Sequence, residues 1–385
     1  MGAYYRLWQV IMWRNIMYAR PTWAEIDLSA LIHNLHLVEN IVKPKKVIPV
    51  IKADAYGHGA IEVMNTLIHE GIDYFAVSLL EEAIELREVN QSVGIMMLGP
   101  ILNSQFDLCH HHKIDLTIYD EDIAMDVLSY EKPLRLHVKI DSGMHRYGIE
   151  SRSFIHDWIL KLEKAPHQFL GIYSHFATAN EQDNHFVLQV NRSMDMITTL
   201  PKLPPMIHLS NSAASFHYEP NFKVTTHVRL GISLYGLSLD EDKMGLRPIM
   251  SLKTKVVTIK TLQAGESLGY GATYTAEKDE KIAILPIGYA DGFIRKNKGG
   301  YVEINHHKYK LVGIICMDAC FVKIDDKIKV GDVVTLFGGL ISIDDVAKRL
   351  STINYEVVTN ISKRVPRIYM KGAMLWLTSI QKLGS

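Results

Sequence analysis

From about residue 20 to residue 248, short β-type runs alternate with segments of helical periodicity. Tyr74–Val77 followed by Leu80–Glu88 is a clear example, and Trp23–Leu28 opens the series as its first strand. Close to eight such strand–helix pairs in about 230 residues are what a closed (β/α)8 barrel of the TIM type requires. A doubly wound open sheet is the alternative, but no glycine fingerprint follows an early strand. The sequence therefore predicts an α/β protein with a barrel over residues 20–248.

The character of the sequence changes after residue 249. Short β-type runs are separated by Gly, Asn and Asp turns, and only Ser342–Leu350 is clearly helical. Examples of these runs are Tyr301–Ile304, Phe321–Ile324 and Val333–Leu336. Residues 249–385 are therefore expected to form a mainly β C-terminal domain. Residues 1–19 are expected to be an N-terminal extension, with translation starting at either Met1 or Met17.

Composition argues against several classes of protein. Lys plus Arg and Asp plus Glu number 42 each, so the charge favours neither nucleic acid nor an anionic membrane. No apolar run approaches the roughly 20 residues of a membrane span. Cys109, Cys316 and Cys320 are too few for a disulfide framework, which predicts a cytoplasmic protein. His110–His112 has no accompanying carboxylate or cysteine set, so no metal site is predicted.

Lys52 closes the apolar run Val47–Ile51. An amine at the end of a buried strand is partly desolvated, which lowers its pKa and frees it to act as a nucleophile. The Tyr56 hydroxyl can donate to an oxyanion, and Gly57 and Gly59 let the backbone approach a bound group. The alternative is a lysine that extends from the strand end to solvent. The position of Lys52 alone does not decide between these interpretations.

Three further segments have the same ambiguity. Arg229 ends an apolar run, where a buried guanidinium requires an acceptor. Asn211–Ser215 places small and hydroxyl residues where a helix begins, which suits a phosphate but is also an ordinary helix cap. Lys139 ends another β-type run and can extend to solvent.

Tyr270 stands between two glycines of a hairpin. A tyrosine between two hairpin glycines is typically a surface residue at the rim of a domain. The local sequence of Tyr270 therefore does not distinguish a catalytic group from a surface residue.

The strings that contain these residues resemble the alanine racemases, in the order and spacing of that family. The matching strings are Val50–Gly59, Leu136–Arg146, Arg229–Gly236, Ser267–Tyr274, Ile287–Gly292, Ile315–Asp318, Ile353–Glu356 and Arg364–Arg367. The resemblance extends from about Arg20 to Arg367, which is nearly the whole chain. The sequence departs from the pattern at His145, where many members of the family have glycine.

The resemblance implies a cofactor, pyridoxal phosphate, bound to Lys52 as a Schiff base. It places Arg229 against the pyridine nitrogen, which stays unprotonated, so that the ring is a weaker electron sink and transamination is disfavoured. The residues that it assigns to the phosphate are Tyr56, Ser212, Gly231, Ile232 and Tyr355. It assigns two further cofactor contacts to His175 and Asn211.

The resemblance also implies the catalytic groups. Lys52 would serve as the base for D-alanine and Tyr270 as the base for L-alanine, with the pKa of Tyr270 lowered by the cations His175 and Arg229. Arg146 would bind the substrate carboxylate, held in place by a carbamylated Lys139. The other residues assigned to the substrate are Met317, Tyr289 and Tyr270, with Tyr355 crowding the pocket beside Met317.

The predicted function is the interconversion of L- and D-alanine by two-base proton transfer on the imine of substrate and cofactor, supplying D-alanine for peptidoglycan. The resemblance implies a homodimer in which Lys52 of one chain shares a site with Tyr270 and Met317 of the other. A serine or broad-specificity racemase is disfavoured because Tyr355 is bulky. A pyridoxal-phosphate amino-acid decarboxylase and a pyridoxal-phosphate-binding homeostasis protein, which has the barrel alone, are the competing non-racemase functions.

Overall fold

The computed structural model describes residues 20–181, 183–240, 243–372 and 374–376. The chain divides into two compact units. One unit is Leu28–Pro248, and the other contains, among the described residues, those up to Asp27 together with Ile249–Trp376. The expected N-terminal extension, residues 1–19, lies outside the described residues. No helix in the described part of the chain is long and apolar enough to cross a membrane.

The first strand, β1 (Thr22–Asp27), belongs to the second unit. It pairs antiparallel with the segment around Thr254 and parallel with the segment around Arg367. The prediction that Trp23–Leu28 opens the barrel is therefore wrong. Its side chains alternate between buried and half-buried, as in a sheet with one covered face, whereas barrel strands are buried on both faces.

The Leu28–Pro248 unit is an eight-stranded parallel barrel, which confirms the predicted fold. Its strands are β2 (Lys46–Pro49), β3 (Tyr74–Val77), β4 (Gly94–Met97), β5 (Asp115–Ile118), β6 (Arg135–Lys139), β7 (Gln168–Tyr173), β8 (Met206–His208) and β9 (His227–Leu230). Strands β3 to β8 form one continuous ladder, and β2 pairs with β9. A bridge from Val50 to Ala76 joins β2 to β3, and the Thr226 amide donates to the Ile207 carbonyl, which joins β9 to β8.

The barrel helices are α1 (Leu28–Val42), α2 (Ala60–His69), α3 (Leu80–Val89), α4 (Phe106–His112), α5 (Glu121–Ser129), α6 (Arg152–Leu162), α7 (Asn184–Thr198) and α8 (Ser212–His217). Helix α1 precedes the first barrel strand. Its buried Asn34 donates to the carbonyls of Leu234 and Arg247, at 3.1 and 2.8 Å, and so fixes α1 beside the segment that follows β9. Part of the barrel core is apolar, with Ile48, Val50, Ala76, Met96 and Tyr173 in one buried cluster.

The second unit is built on one ten-stranded sheet in the order β11-β12-β15-β14-β13-β16-β10-β1-β17-β18. Its strands after β9 are β10 (Met250–Lys255), β11 (Thr258–Leu262), β12 (Glu280–Leu285), β13 (Tyr301–Ile304), β14 (His307–Val312), β15 (Cys320–Ile324), β16 (Val333–Phe337), β17 (Arg367–Lys371) and β18 (Met374–Trp376). Two helices accompany it, α9 (Ile343–Leu350) and α10 (Asn354–Thr359). The mainly β C-terminal domain is confirmed, although the sequence pattern missed α10.

Candidate active site

Lys52 begins a left-handed turn that follows β2. Four consecutive residues, Ala53 to Tyr56, have φ between 51° and 54°. Each non-glycine residue in this region costs roughly 1–2 kcal/mol, so the turn exists only because its surroundings hold it. The Ala53 amide donates to Glu82 Oε1 at 2.6 Å, and Asp54 Oδ1 accepts from the Ala60 amide at 2.8 Å. These two anchors fix the backbone on which the Lys52 amine is carried.

Ala53→Gly is expected to raise the free energy of unfolding by about 1 kcal/mol, because glycine occupies positive φ without the steric cost of a Cβ. Ala53 is exposed, so the change removes little packing. Thermal unfolding of the purified protein measures the effect. Ala60→Gly, at the right-handed start of α2, is the matched control and should lower stability. Equal losses in both variants would contradict the strain assigned to the turn.

Four basic side chains of the barrel unit act electrostatically on His175. Burial, and then the charges of Arg229, Arg146, Lys139 and Lys52, hold the pKa of His175 well below its ordinary value. This direction favours a neutral His175, so it does not support the expectation that His175 acts as a cation beside Tyr270. Burial and Arg146 also lower the pKa of Lys52, although Glu82 partly opposes them. This concentration of positive charge suits an anionic ligand.

Lys139, at the end of β6, is almost completely buried, with 4 % of its surface exposed. Its Nζ donates to the Tyr147 carbonyl at 2.6 Å. Burial and the charge of Arg229 lower the pKa of Lys139 to about 8, with Asp141 opposing them. Lys139 therefore does not extend to solvent, and a substantial fraction of its amine is neutral in mildly alkaline solution.

The backbone of the loop after Lys139 accounts for the glycine that the family pattern has at the position of His145. His145 has φ of 53°, a value that favours glycine. Asp141 Oδ1 stabilises the loop by accepting from the amides of Gly143, Met144 and His145, at 2.8 to 3.1 Å. Asp141, His145 and Glu150 also lie close enough together to hold a cation, a grouping that sequence reasoning missed. Asp141 Oδ1 already accepts three amide hydrogens, so the geometry of the loop accounts for the position of the Asp141 carboxylate.

Tyr56, Ser212 and Gly231 meet at one place. The Gly231 amide donates to Ser212 Oγ at 3.0 Å. A Cβ at Gly231 would lie 3.1 Å from the Tyr56 hydroxyl and 3.7 Å from Ser212 Oγ, so glycine leaves room there for a bound group. Two hydroxyls beside such a space fit a phosphate. Ile232 follows Gly231 directly and is buried.

Asn211 precedes Ser212 and caps α8. Its side-chain oxygen accepts from the Ala214 amide at 3.1 Å, and its amide group donates to the Phe176 carbonyl at 3.1 Å. Both ends of the Asn211 side chain therefore stabilise the backbone on which Ser212 lies.

Arg229 is 3 % exposed and is held mainly by main-chain carbonyls. Its Nη2 donates to the carbonyls of Ser174 and Leu209, at 2.5 and 3.1 Å. Its Nη1 donates to the carbonyl and, at 2.9 Å, to the ring Nδ1 of His208. The guanidinium lies 5.0 Å from the Tyr173 ring centre. Burial lowers the pKa of Arg229 to about 10, so it remains a cation at neutral pH.

The remaining predicted site residues lie in the second unit, most of them exposed. Tyr270 is 73 % exposed, Met317 52 % and Tyr289 40 %. The Tyr289 amide donates to the Cys316 carbonyl at 3.0 Å, so the strings of Tyr289 and Met317 are adjacent. Tyr355 is half-buried in the first turn of α10. Exposed aromatic and thioether side chains are typical of a surface that another group covers.

Sequence reasoning missed the buried histidines His137 and His208 and the residues beside them. Both histidines are fully buried in the barrel. A signal was present, because His137 stands two residues before Lys139 in β6 and therefore on the same face of the strand. A histidine inside an otherwise apolar strand must find a partner when it is buried.

Comparison with known proteins gives matches over nearly all of the chain. The alanine racemase N-terminal domain family matches residues 26–239, and the alanine racemase C-terminal domain family matches residues 249–369. An alanine racemase from Geobacillus stearothermophilus is 38% identical over 370 residues, which are 91% of this chain and 94% of that protein. Alanine racemase 1 from Bacillus subtilis is 36% identical, over 92% and 95% of the two chains.

Solved structures agree with the sequence matches. The alanine racemase of E. faecalis has a TM-score of 0.86 at 33% identity, covering 92% of this chain and 99% of that one. The alanine racemase of Bacillus anthracis with bound L-Ala-P has a TM-score of 0.86 at 32% identity, covering 93% and 97%.

Proposed function

The chain belongs to the alanine racemase family and interconverts L- and D-alanine, and we propose that Lys52 and Tyr270 move the proton between the two faces of the α-carbon. The role of Lys52 is supported by its place on the turn that Glu82 and Asp54 anchor and by the lowered pKa of its amine. A neutral amine can bond to a carbonyl and can accept a proton, whereas an ammonium can do neither. Formation of D-alanine from L-alanine by the purified enzyme tests the activity.

The cofactor that we propose is pyridoxal phosphate, bound in the barrel. When bound, it supplies a carbonyl that bonds to an amine and a conjugated ring that withdraws electrons from the α-carbon. Lys52 would hold its carbonyl carbon. The residues that would hold its phosphate are Tyr56, Ser212, Gly231, Ile232 and Tyr355, supported by the contacts of Asn211. The space at Gly231 and the basic side chains that act on His175 support this assignment.

Arg229 would face the ring nitrogen of the cofactor. Its guanidinium has no acceptor atom and stays charged, so a nitrogen beside it would remain unprotonated. An unprotonated ring withdraws electrons less strongly. This favours return of the proton to the α-carbon over its loss to the cofactor, which would be transamination. The carbonyls of Ser174 and Leu209 fix the orientation of Arg229.

Lys139 would carry a carbamate that holds Arg146 against the substrate carboxylate. A neutral amine adds CO2 and loses one proton, so the cation becomes an anion, and the pKa of Lys139 near 8 supports this step. With ¹³C-bicarbonate, NMR should give one carbamate signal, which weakens as the pH falls below about 8 and Lys139 becomes protonated. Lys139→Ala should lose this signal, and Lys161→Ala, at an exposed position of α6, should keep it. A signal unaffected by Lys139→Ala would contradict the proposal.

Tyr270 would act on the face of the α-carbon opposite Lys52, with Lys52 serving D-alanine and Tyr270 serving L-alanine. We propose a homodimer in which Tyr270 and Met317 of one chain complete the site of the other. The exposure of Tyr270 and Met317 supports this proposal, because large apolar side chains gain free energy when a partner covers them.

Tyr355→Asn is expected to raise the ratio of kcat/KM for serine to that for alanine by about tenfold, because the smaller side chain leaves room for a hydroxyl. Racemisation rates for both amino acids measure the ratio. Tyr301→Asn, at an exposed position of β13, is the matched control and should leave it unchanged. An unchanged ratio in Tyr355→Asn would show that Tyr355 and Met317 do not set the substrate range.

The physiological role that we propose is supply of D-alanine for peptidoglycan, in the cytoplasm. Free thiols at Cys109, Cys316 and Cys320 support a reducing compartment. The decarboxylase and the homeostasis protein are disfavoured as functions, because residues 249–369 match the C-terminal domain of the racemases.

A further inference from the structure

A continuous series of hydrogen bonds runs through the barrel from Arg229 to Asp115. Arg229 Nη1 lies 2.9 Å from His208 Nδ1, and His208 Nε2 lies 3.2 Å from His137 Nδ1. His137 Nε2 lies 2.8 Å from the Tyr74 hydroxyl, which donates to Asp115 Oδ2. We call these five residues the buried donor chain.

Chemistry fixes the direction of every bond in the buried donor chain. A guanidinium has only donors, so His208 Nδ1 accepts from Arg229 and a neutral His208 carries its proton on Nε2. That proton is donated to His137 Nδ1, so a neutral His137 carries its proton on Nε2 and donates it to the Tyr74 hydroxyl. The Tyr74 hydroxyl in turn donates to Asp115. A change at Asp115 is thereby transmitted as a change in which nitrogen of His208 carries the proton.

The environment keeps His208 and Tyr74 neutral. Burial and the charge of Arg229 hold the pKa of His208 well below its ordinary value. Burial and the neighbouring Asp115 raise the pKa of Tyr74 well above its ordinary value. Burial alone would raise the pKa of Asp115, but the neighbouring His137 and the hydrogen bonds from Arg135 outweigh it and the pKa is lowered. The buried donor chain therefore runs from a cation to an anion.

Two glycines make room for the rings of the buried donor chain. A Cβ at Gly171, on β7, would lie 2.1 Å from His137 Nδ1. A Cβ at Gly94, on β4, would lie 2.1 Å from Cδ2 of Tyr74. Any other residue at either position would displace a ring and break the series of hydrogen bonds. At the far end, Arg135 Nε donates to Asp115 Oδ1 at 2.5 Å and fixes that carboxylate.

We propose that Tyr74 and Asp115 are positioning residues for Arg229. Through His137 they act together with Arg229 to hold the proton of His208 on Nε2, so that Nδ1 faces the guanidinium as an acceptor. If the proton moved to Nδ1, two donors would face each other and Arg229 would lose this contact. The proposal rests on the proposed function only in its consequence, which is that a fixed Arg229 keeps transamination slow.

The first test is ¹⁵N NMR of the holoenzyme labelled at histidine, which distinguishes protonated from unprotonated ring nitrogens. The signals of His137 and His208 are assigned by their loss on single replacement. In the parent enzyme, both should carry the proton on Nε2. Tyr74→Phe keeps the ring against Gly94 but removes the bridging hydroxyl, and Asp115→Asn removes the terminal anion. Both variants should move the signals of His137 and His208 towards the average of the two tautomers.

Tyr130→Phe is the matched control. It also removes a hydrogen bond from a tyrosine hydroxyl to an aspartate, at 2.6 Å from Asp107 Oδ1, but on the surface and outside the buried donor chain. It should leave the histidine signals and the kinetics unchanged.

The second test is kinetic. Tyr74→Phe should lower kcat about tenfold, the lower end of the cost of losing a residue that orients a metal-ligating side chain, with little change in KM. It should also raise the fraction of turnovers that convert the cofactor to pyridoxamine phosphate.

Parent histidines protonated on Nδ1, or a Tyr74→Phe variant indistinguishable from Tyr130→Phe, would overturn the proposal. A parent protein that binds no pyridoxal phosphate yet has both histidines protonated on Nε2 would overturn the proposed function and leave the buried donor chain intact.

Discussion

Replacing Lys52 with alanine should lower kcat for racemisation by roughly 10³-fold or more, because the variant loses both the amine that bonds the cofactor and one of two proton-transferring groups. Formation of D-alanine from L-alanine measures the loss. In the parent enzyme, borohydride reduction followed by peptide mapping should find the cofactor attached to Lys52. The same treatment of the variant should find no attachment.

Lys46→Ala is the matched control, since Lys46 begins the same strand, β2, and is exposed on the surface. It should keep both activity and cofactor attachment. Full activity in Lys52→Ala would reject both the cofactor bond and the role of Lys52 as a base.

Mixing a Lys52→Ala chain with a Tyr270→Ala chain should restore roughly a quarter of parental activity, although each variant alone is inactive. In a shared-site dimer, the mixed species places both defects in one site and leaves the other site intact. Random reassociation of equal amounts makes half of the dimers mixed, each with one intact site of two. The activity of the mixture after subunit exchange is the measurement.

Each variant taken alone through the same exchange treatment is the control and should stay inactive. Subunit exchange itself is verified with chains that carry distinguishable tags. If exchange occurs and no activity returns, both bases belong to one chain and the shared-site proposal is rejected.

The predicted elements were accurate where local sequence determines them. The alternation of apolar runs with helical periodicity predicted the barrel strands and helices, for example β3 and α3. This works because the side chains on the buried face of a strand or helix recur at a fixed spacing along the chain. The position of Lys52 at the end of an apolar strand followed from the same pattern. The assignments of catalytic and binding roles came from the resemblance to the racemases, not from periodicity.

The error at β1 and the omission of α10 have a common cause. Thr22–Asp27 alternates like any strand, and only its pairing with Thr254 and Arg367 places it in the second unit. Those partners are more than two hundred residues away, so no local pattern encodes the choice. Helix α10 has only 6 residues, with Asn354, Val357 and Val358 buried, and so short a segment shows no helical period in the sequence.

The sequence by itself determined most of the strands and helices, that Lys52 follows a buried strand, and that charge is balanced over the chain. Tertiary structure alone decided which groups meet. It brought four basic side chains within electrostatic reach of His175, forced Ala53 to Tyr56 into left-handed backbone, and connected Arg229 to Asp115 through two histidines and a tyrosine. The physical reason is that ionisation and hydrogen bonding depend on distance and burial in space, which chain order does not specify.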